Sequence, residues 1–311
     1  MQEIESSINR YLTELDTADR QEPAVAKVRG ERLQDKIAAL KEQMKALKEI
    51  EIRLNDTPDK QISLTDADAR SMKTRGTGIV GYNVQTAVDA KNHLIVAHEV
   101  TNIGIDRDQL TTMAKEARAA IGAEELTVIA DRGYFKGEEI VACHEAGIIA
   151  IVPKTTTSSA KANGRFDRAD FIYAPEKNEY RCPADQALIW RCSTVERGLK
   201  LHRYWSSNCK QCAIKEKCTP GVERRITRWE REDILETMQD RLDQAPDSMR
   251  IRRQTVEHPF GTLKLWMGSA HFLTRTLDRV STEMGLHVLA YNLKRVMKIL
   301  GSGALIEAMR A

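Results

Sequence analysis

The chain has 311 residues, 30% of them charged and 5% aromatic, with a formal net charge of +3. That length allows one large domain or two, with ample core. No apolar run approaches the length of a membrane span, and the acidic start Met1-Gln2-Glu3-Ile4-Glu5 is no signal peptide, so a cytoplasmic protein is expected.

Residues 1–58 are predicted to form a helical coiled-coil hairpin. Ile4, Ile8, Tyr11 and Leu15 recur at spacings of four, three and four. After a break at Asp19–Pro23, Leu33, Ile37, Leu40, Met44, Leu47 and Leu54 follow a heptad in which Glu51 is the one lapse. Lys and Glu alternate on the flanks, as in a coiled-coil seam that is either antiparallel or dimerising. A homo-oligomer held by this seam is the expected assembly.

Residues 59–160 are predicted to be the first part of an α/β core. After a short acidic stretch (Ile62–Arg70) and a Gly-containing turn, Gly78–Asp89 and His93–Thr101 alternate as an antiparallel strand pair around Asp89-Ala90-Lys91-Asn92. A helix over about 106–120 follows, with Asp106 or Asp108 near its start. Leu126–Ala130 is a short apolar run of the kind found in buried strands, and it ends on Asp131-Arg132-Gly133. An acid just past a core strand stands at the carboxyl edge, where active sites collect, although taken alone Asp131 reads first as fixing a tight turn with Gly133. Helix (138–146) and strand (147–153) complete the pattern of a sheet covered by helices.

Residues 161–229 form a cysteine-rich insertion behind a polar linker at 154–164. Disulfides are not expected in a cytoplasmic protein, so Cys182, Cys209, Cys212 and Cys218 suggest a four-thiolate structural zinc site, against the alternative of buried free thiols. Cys143, which stands apart, is read as core.

Residues 230–311 are predicted to be helical. Arg250, Arg253, Glu257 and Lys264 keep to one helix face, where a carboxylate among cations could hold a metal while the cations grip phosphates. In the alternative, Glu257 merely pairs with Arg253 on a solvated face. Pro259 should kink or restart this helix. From Arg250 onward there are ten Lys or Arg against four Asp or Glu, a plausible surface for a polyanion. The final helix at 277–300 carries Val280, Met284, Leu286, Leu289, Ala290, Leu293, Val296, Met297 and Leu300 as core positions, with Asn292, Lys294 and Arg295 near its polar side.

Together GYNVQTAVD, HEVTNIGIDRDQL, VIADRGYF, YRCP, RRQTVEHPFGTLK and LHVLAYNLKRVM resemble the DDE transposases of bacterial insertion sequences, over about Ile62–Leu300. The resemblance implies an RNase H-like mixed sheet flanked by helices, presenting three carboxylates to two divalent ions, Mg2+ or Mn2+. Those ions would support cleavage of transposon ends and transfer to target DNA. Asp131 matches the second acid and Glu257 the third. Arg253 and Lys264 match the basic positions of the Y-x2-R-x3-E-x6-K signature, with Arg250 in place of its tyrosine. The first acid, in a D-G-T or D-G-S segment, has no counterpart, so the chain is expected to be an N-terminally truncated copy, with Asp66 and Asp68 as stand-ins. Two ions about 4 Å apart would place Asp131 and Glu257 within roughly 8 Å across one cleft. A catalytically inactive remnant that only binds DNA or a partner is the competing expectation.

Overall fold

The computed structural model describes residues 1–18, 23–73, 78–155 and 159–310, which form a mixed α/β protein. It divides into two compact units, Met1–Asn83 with Thr274–Arg279, and Val84–Leu273 with Val280–Ala311. Most of the break expected at Asp19–Pro23, the Gly-containing turn at 74–77 and the centre of the polar linker lie outside the described residues.

In the first unit α1 (Gln2–Ala18) packs on α2 (Pro23–Asp56) and buries Ile8, Leu33 and Ile37. A Cβ placed on Gly30 would meet Leu15 at 3.8 Å, and the Lys36 ammonium lies 5.3 Å from the centre of the Tyr11 ring. Numbers fall along one helix as they rise along the other, so the hairpin is antiparallel. With 17 residues in α1 against 34 in α2, the heptad outruns its partner, and Leu47 is exposed. Strands β1 (Arg70–Lys73) and β2 (Gly78–Gly81) pair antiparallel.

The second unit begins with the hairpin β3 (Asn83–Val88) and β4 (Ile95–Thr101), closed by the Asp89 amide donating to the Leu94 carbonyl at 2.8 Å. Helix α3 (Leu110–Ile121) buries Leu110, Met113, Ala114 and Ala117 and ends at Gly122, whose φ of 66° is left-handed. Then β5 (Leu126–Ile129), α4 (Gly137–Glu145) and β6 (Ile148–Ile151) form a parallel strand–helix–strand unit, with Leu126 opposite Ile148. Ile140, Cys143, Ile148 and Val152 are its buried centre, so truncating Ile148 to Ala should cost about 2–5 kcal/mol.

The insertion is a five-stranded antiparallel sheet. It comprises β7 (Ile172–Ala174), β8 (Glu179–Arg181), β9 (Ala187–Glu196), β10 (Leu199–Trp205) and β11 (Ile226–Trp229), in the order β11-β10-β9-β8-β7. Phe171, Tyr180, Leu188, Tyr204 and Ile226 fill its core. Among the described residues the strands make four separate hydrogen-bonded sheets, where one mixed sheet was expected.

Helix α5 (Glu232–Gln244) adds Ile234, Leu235 and Met238 to the core of the parallel unit. Helix α6 (Ser248–Gly261) runs through Pro259 without restarting at His258. Pro259 is buried, and the His258 ring meets the Tyr291 hydroxyl at 3.1 Å, so packing offsets the missing Pro259 donor. The irregularity comes later, as a π turn at Thr262–Trp266. Helix α7 (Leu277–Leu300) buries Val280, Met284, Val288 and Tyr291, whereas Leu286, Leu289, Leu293, Met297 and Leu300 are exposed. Its Asn292 is no surface group. The side-chain amide bonds both the amide and the carbonyl of Ile95 (2.9 and 2.8 Å), acting as an extra strand along β4. Arg295 donates to the Asn92 carbonyl at 2.6 Å. Helix α8 (Ser302–Arg310) ends the described chain.

Candidate active site

Strand β5 is short and apolar, with Leu126 and Val128 packed against the core of the parallel unit, and the ladder closes where the Ala130 amide donates to the Ile151 carbonyl at 3.1 Å. The next residue leaves the sheet. Asp131 is extended (φ −81°, ψ 175°) and caps a single 3-10 turn, Arg132–Tyr134, by accepting the Gly133 amide at 2.8 Å. The turn-fixing role weighed from sequence is therefore real, but it uses only Oδ1. Oδ2 takes the Arg252 guanidinium of α6 at 2.9 Å.

Gly133 matters for space rather than for backbone conformation. A Cβ there would stand 2.9 Å from Asp131 Oδ1 and 3.4 Å from Asp106 Oδ2, so two carboxylates converge on the notch that glycine leaves open. The sequence marks Asp106 only as a residue near the start of α3. It is placed instead by Gln85 of β3, which is 2% exposed and donates to Asp106 Oδ1 at 2.7 Å. The Tyr134 hydroxyl donates to the other end of the same amide. Burial pushes the Tyr134 phenol well above its ordinary value, the charges of Asp106 and Asp131 add to it, and Arg252 opposes. A glutamine at the buried position of an alternating strand was the available signal for this network. Such a group is costly unless both its ends are bonded.

On α6 the buried side is marked by Ser248, Thr255 and Pro259. Arg252 lies on that stripe and is 22% exposed, whereas Arg253 is 76% and Glu257 67% exposed. Arg253 and Glu257 pair across one turn at 4.0 Å. Glu257 follows Arg252 by five residues, roughly 7.5 Å along the axis and about 140° around it, so Arg252 is the α6 side chain bonded to Asp131. Lys264 is exposed in the π turn, 5.9 Å from the Phe260 ring centre. The π turn interrupts the regular α spacing between Glu257 and Lys264.

Asp66 and Asp68 belong to the first unit. Asp66 accepts the Tyr82 hydroxyl at 2.7 Å, the Thr276 amide at 3.2 Å and the Asp68 amide at 3.3 Å. Asp68 accepts the Leu277 amide at 2.9 Å, at the start of α7. Burial pushes the Asp66 carboxyl up, but the Tyr82, Asp68 and Thr276 hydrogen bonds and the Arg275 charge outweigh it and hold the group below its ordinary value. These are bonds that cap backbone.

Cys182, Cys209, Cys212 and Cys218 line one pocket with Phe166, Phe171 and Leu188. Burial pushes the Cys218 thiol up; Arg224 opposes, and Cys209, Cys182 and Cys212 add to the rise. The four cysteines thus share one pocket, while among the described residues no three or more His, Cys, Asp or Glu side chains are placed to hold a metal ion. The zinc expectation is therefore not supported: Cys182 and Cys218 pack against the Phe171, Tyr180 and Tyr204 core of the insertion, as small apolar groups do. Cys143 is fully buried, as expected.

The same observation bears on Mg2+ or Mn2+. Asp131 and Asp106 offer two hard oxygen donors beside the Gly133 notch rather than three. That set suits Mg2+, which takes one or two carboxylates and completes its shell with water and phosphate oxygens.

No helix among the described residues is long and apolar enough to cross a membrane. No curated protein and no solved structure matches the chain. The family model of the transposase DDE domain matches it over residues 57–293, from the segment before Asp66 to α7, and includes Asp131, Arg252 and Glu257. With that match covering most of its length, the chain belongs to the transposase DDE domain family.

Proposed function

We propose that the protein catalyses metal-dependent strand cleavage and transfer on DNA, as the transposase of an insertion sequence, with an RNase H-like core at 59–160 and 230–311 and the insertion at 161–229. The observation that carries this reading is the pair of carboxylates, Asp131 and Asp106, converging on the Gly133 notch at the end of a core strand. Asp131 and Asp106 would hold the divalent ion, with Glu257 as a further acid of α6. A bound ion there supplies electrostatic stabilisation of the charge that develops on the transferring phosphoryl group. Arg253 and Lys264, both exposed, grip backbone phosphates and set the register of the duplex without reading its sequence. Gln85 and Tyr134 hold the turn that presents Asp131. The part of the α2 seam beyond the reach of α1 joins two copies of the chain.

The test is strand cleavage with Mg2+ or Mn2+ on DNA bearing the ends that flank the gene. Cleavage that disappears in Asp131→Asn and in Glu257→Gln supports the reading. A non-catalytic DNA-binding role is favoured by one contact, the occupation of Asp131 Oδ2 by Arg252. Salt-sensitive DNA binding with no cleavage, unchanged by Asp131→Asn, would select it.

A further inference from the structure

Asp131 already holds a cation. Arg252 Nη2 lies 2.9 Å from Oδ2, with the carboxylate side chain 44% and the guanidinium 22% exposed. The pair is reachable by water and ions, yet Arg252 is aimed by the fold. It follows buried Ser248 by one turn and precedes buried Thr255 by three residues, so it leaves α6 on the packed side. Arg250 and Arg253 are exposed and bonded to acids of their own helix region, Asp247 and Glu257. Of these three arginines, Arg252 is the one bonded to Asp131.

We infer that Arg252 is the cation Asp131 holds when no divalent ion is bound, and that the ion and the guanidinium compete for this carboxylate. The displaced guanidinium then becomes a phosphate-binding group of the same site. This rests on the reading of Asp131 as a metal-holding acid. Charge supports it. Asp131, Asp106 and Arg252 together carry one net negative charge, and adding a divalent ion turns that into one net positive charge. An ion on Asp131 also repels a guanidinium a few ångströms away. Turning Arg252 toward a DNA phosphate removes both penalties, and its planar fork matches phosphate as well as it matches carboxylate. Ion loading and DNA binding are thereby coupled through one side chain, which lies outside the Arg253-x3-Glu257 spacing of the family signature.

The experiment is titration of the full chain with Mn2+ at low salt, following free Mn2+ by electron paramagnetic resonance. Arg252→Gln removes the competitor and should tighten Mn2+ binding about threefold to fivefold, the upper range for a partly exposed ion pair. Arg250→Gln removes an equal charge two residues away and should shift it less than about twofold. Arg252→Lys keeps a competing charge and should stay near wild type, which guards against a Gln variant that folds poorly. In DNA binding with Mn2+ present, Arg252→Gln should reduce the slope of log K against log salt by about 0.9, whereas without Mn2+ the slopes should coincide. Unchanged or weaker Mn2+ binding in Arg252→Gln, with binding lost in Asp131→Asn, overturns the inference and leaves the site reading intact. Mn2+ binding indifferent to Asp131→Asn overturns the site reading and the inference with it.

Discussion

Two pairs of aspartates in this protein look alike in sequence and do different work. Asp66 and Asp68 accept the amides of Thr276 and Leu277 and the Tyr82 hydroxyl, bonds that hold a loop to the start of α7. Asp131 accepts the Gly133 amide on Oδ1 and the Arg252 guanidinium on Oδ2, Asp106 accepts the Gln85 side chain, and both carboxylates stand beside the Gly133 notch. The difference lies in the partner. A carboxylate oxygen occupied by a backbone amide is fixed by the chain path and costs stability to remove, whereas one held by a guanidinium, as Asp131 Oδ2 is, can exchange it for another cation.

The comparison predicts opposite phenotypes. Asp131→Asn should lower Mg2+-dependent strand cleavage by at least about a hundredfold while keeping the Gly133 bond, so that melting shifts by no more than about 2 °C. Cleavage rates and thermal melts of the same preparations check it. Gly133→Ala should come next, with about tenfold to a hundredfold slower cleavage, since its Cβ would press on Asp131 Oδ1 at 2.9 Å and must move the acid. A fully active Gly133→Ala would show that the notch is unimportant.

Stability variants sharpen the other side. Gln85→Leu leaves Asp106 and Tyr134 without the amide that joins them, a cost of about 2–3 kcal/mol that denaturant unfolding would register. Asp66→Ala should cost about 1 kcal/mol, as the loss of a capping carboxylate does. If it instead abolished cleavage with no change in unfolding, the contrast would collapse and Asp66 would be the missing first acid. The smallest effect concerns pH. The folded Asp66 carboxyl sits below its ordinary value, so its contribution is complete above the unfolded pKa of about 3.9 and is lost as pH falls through the folded value. Asp66→Asn should therefore flatten the acid limb of the stability curve, measured by urea unfolding below about pH 4.

Local pattern was enough for the helical hairpin, for the strand that ends on Asp131 and for the strand–helix–strand unit, because heptad spacing and short apolar runs are properties of neighbouring residues. The same holds for Cys143 as core and for the R-x3-E spacing that puts Arg253 beside Glu257. Partners distant in the chain were not legible. Arg252 reaches Asp131 across 121 positions, Asn292 reaches Ile95 across 197, and Asp106 reaches Gln85 across 21. None of these pairs has a period, so only the packed chain selects them. Pro259 shows the same limit: a rule for isolated helices breaks α6, and burial keeps it whole. Sequence alone thus determined the family and the acid at the strand end. Tertiary structure decided which cation that acid holds and which second carboxylate stands beside it, since both depend on distances that close only when the chain has folded.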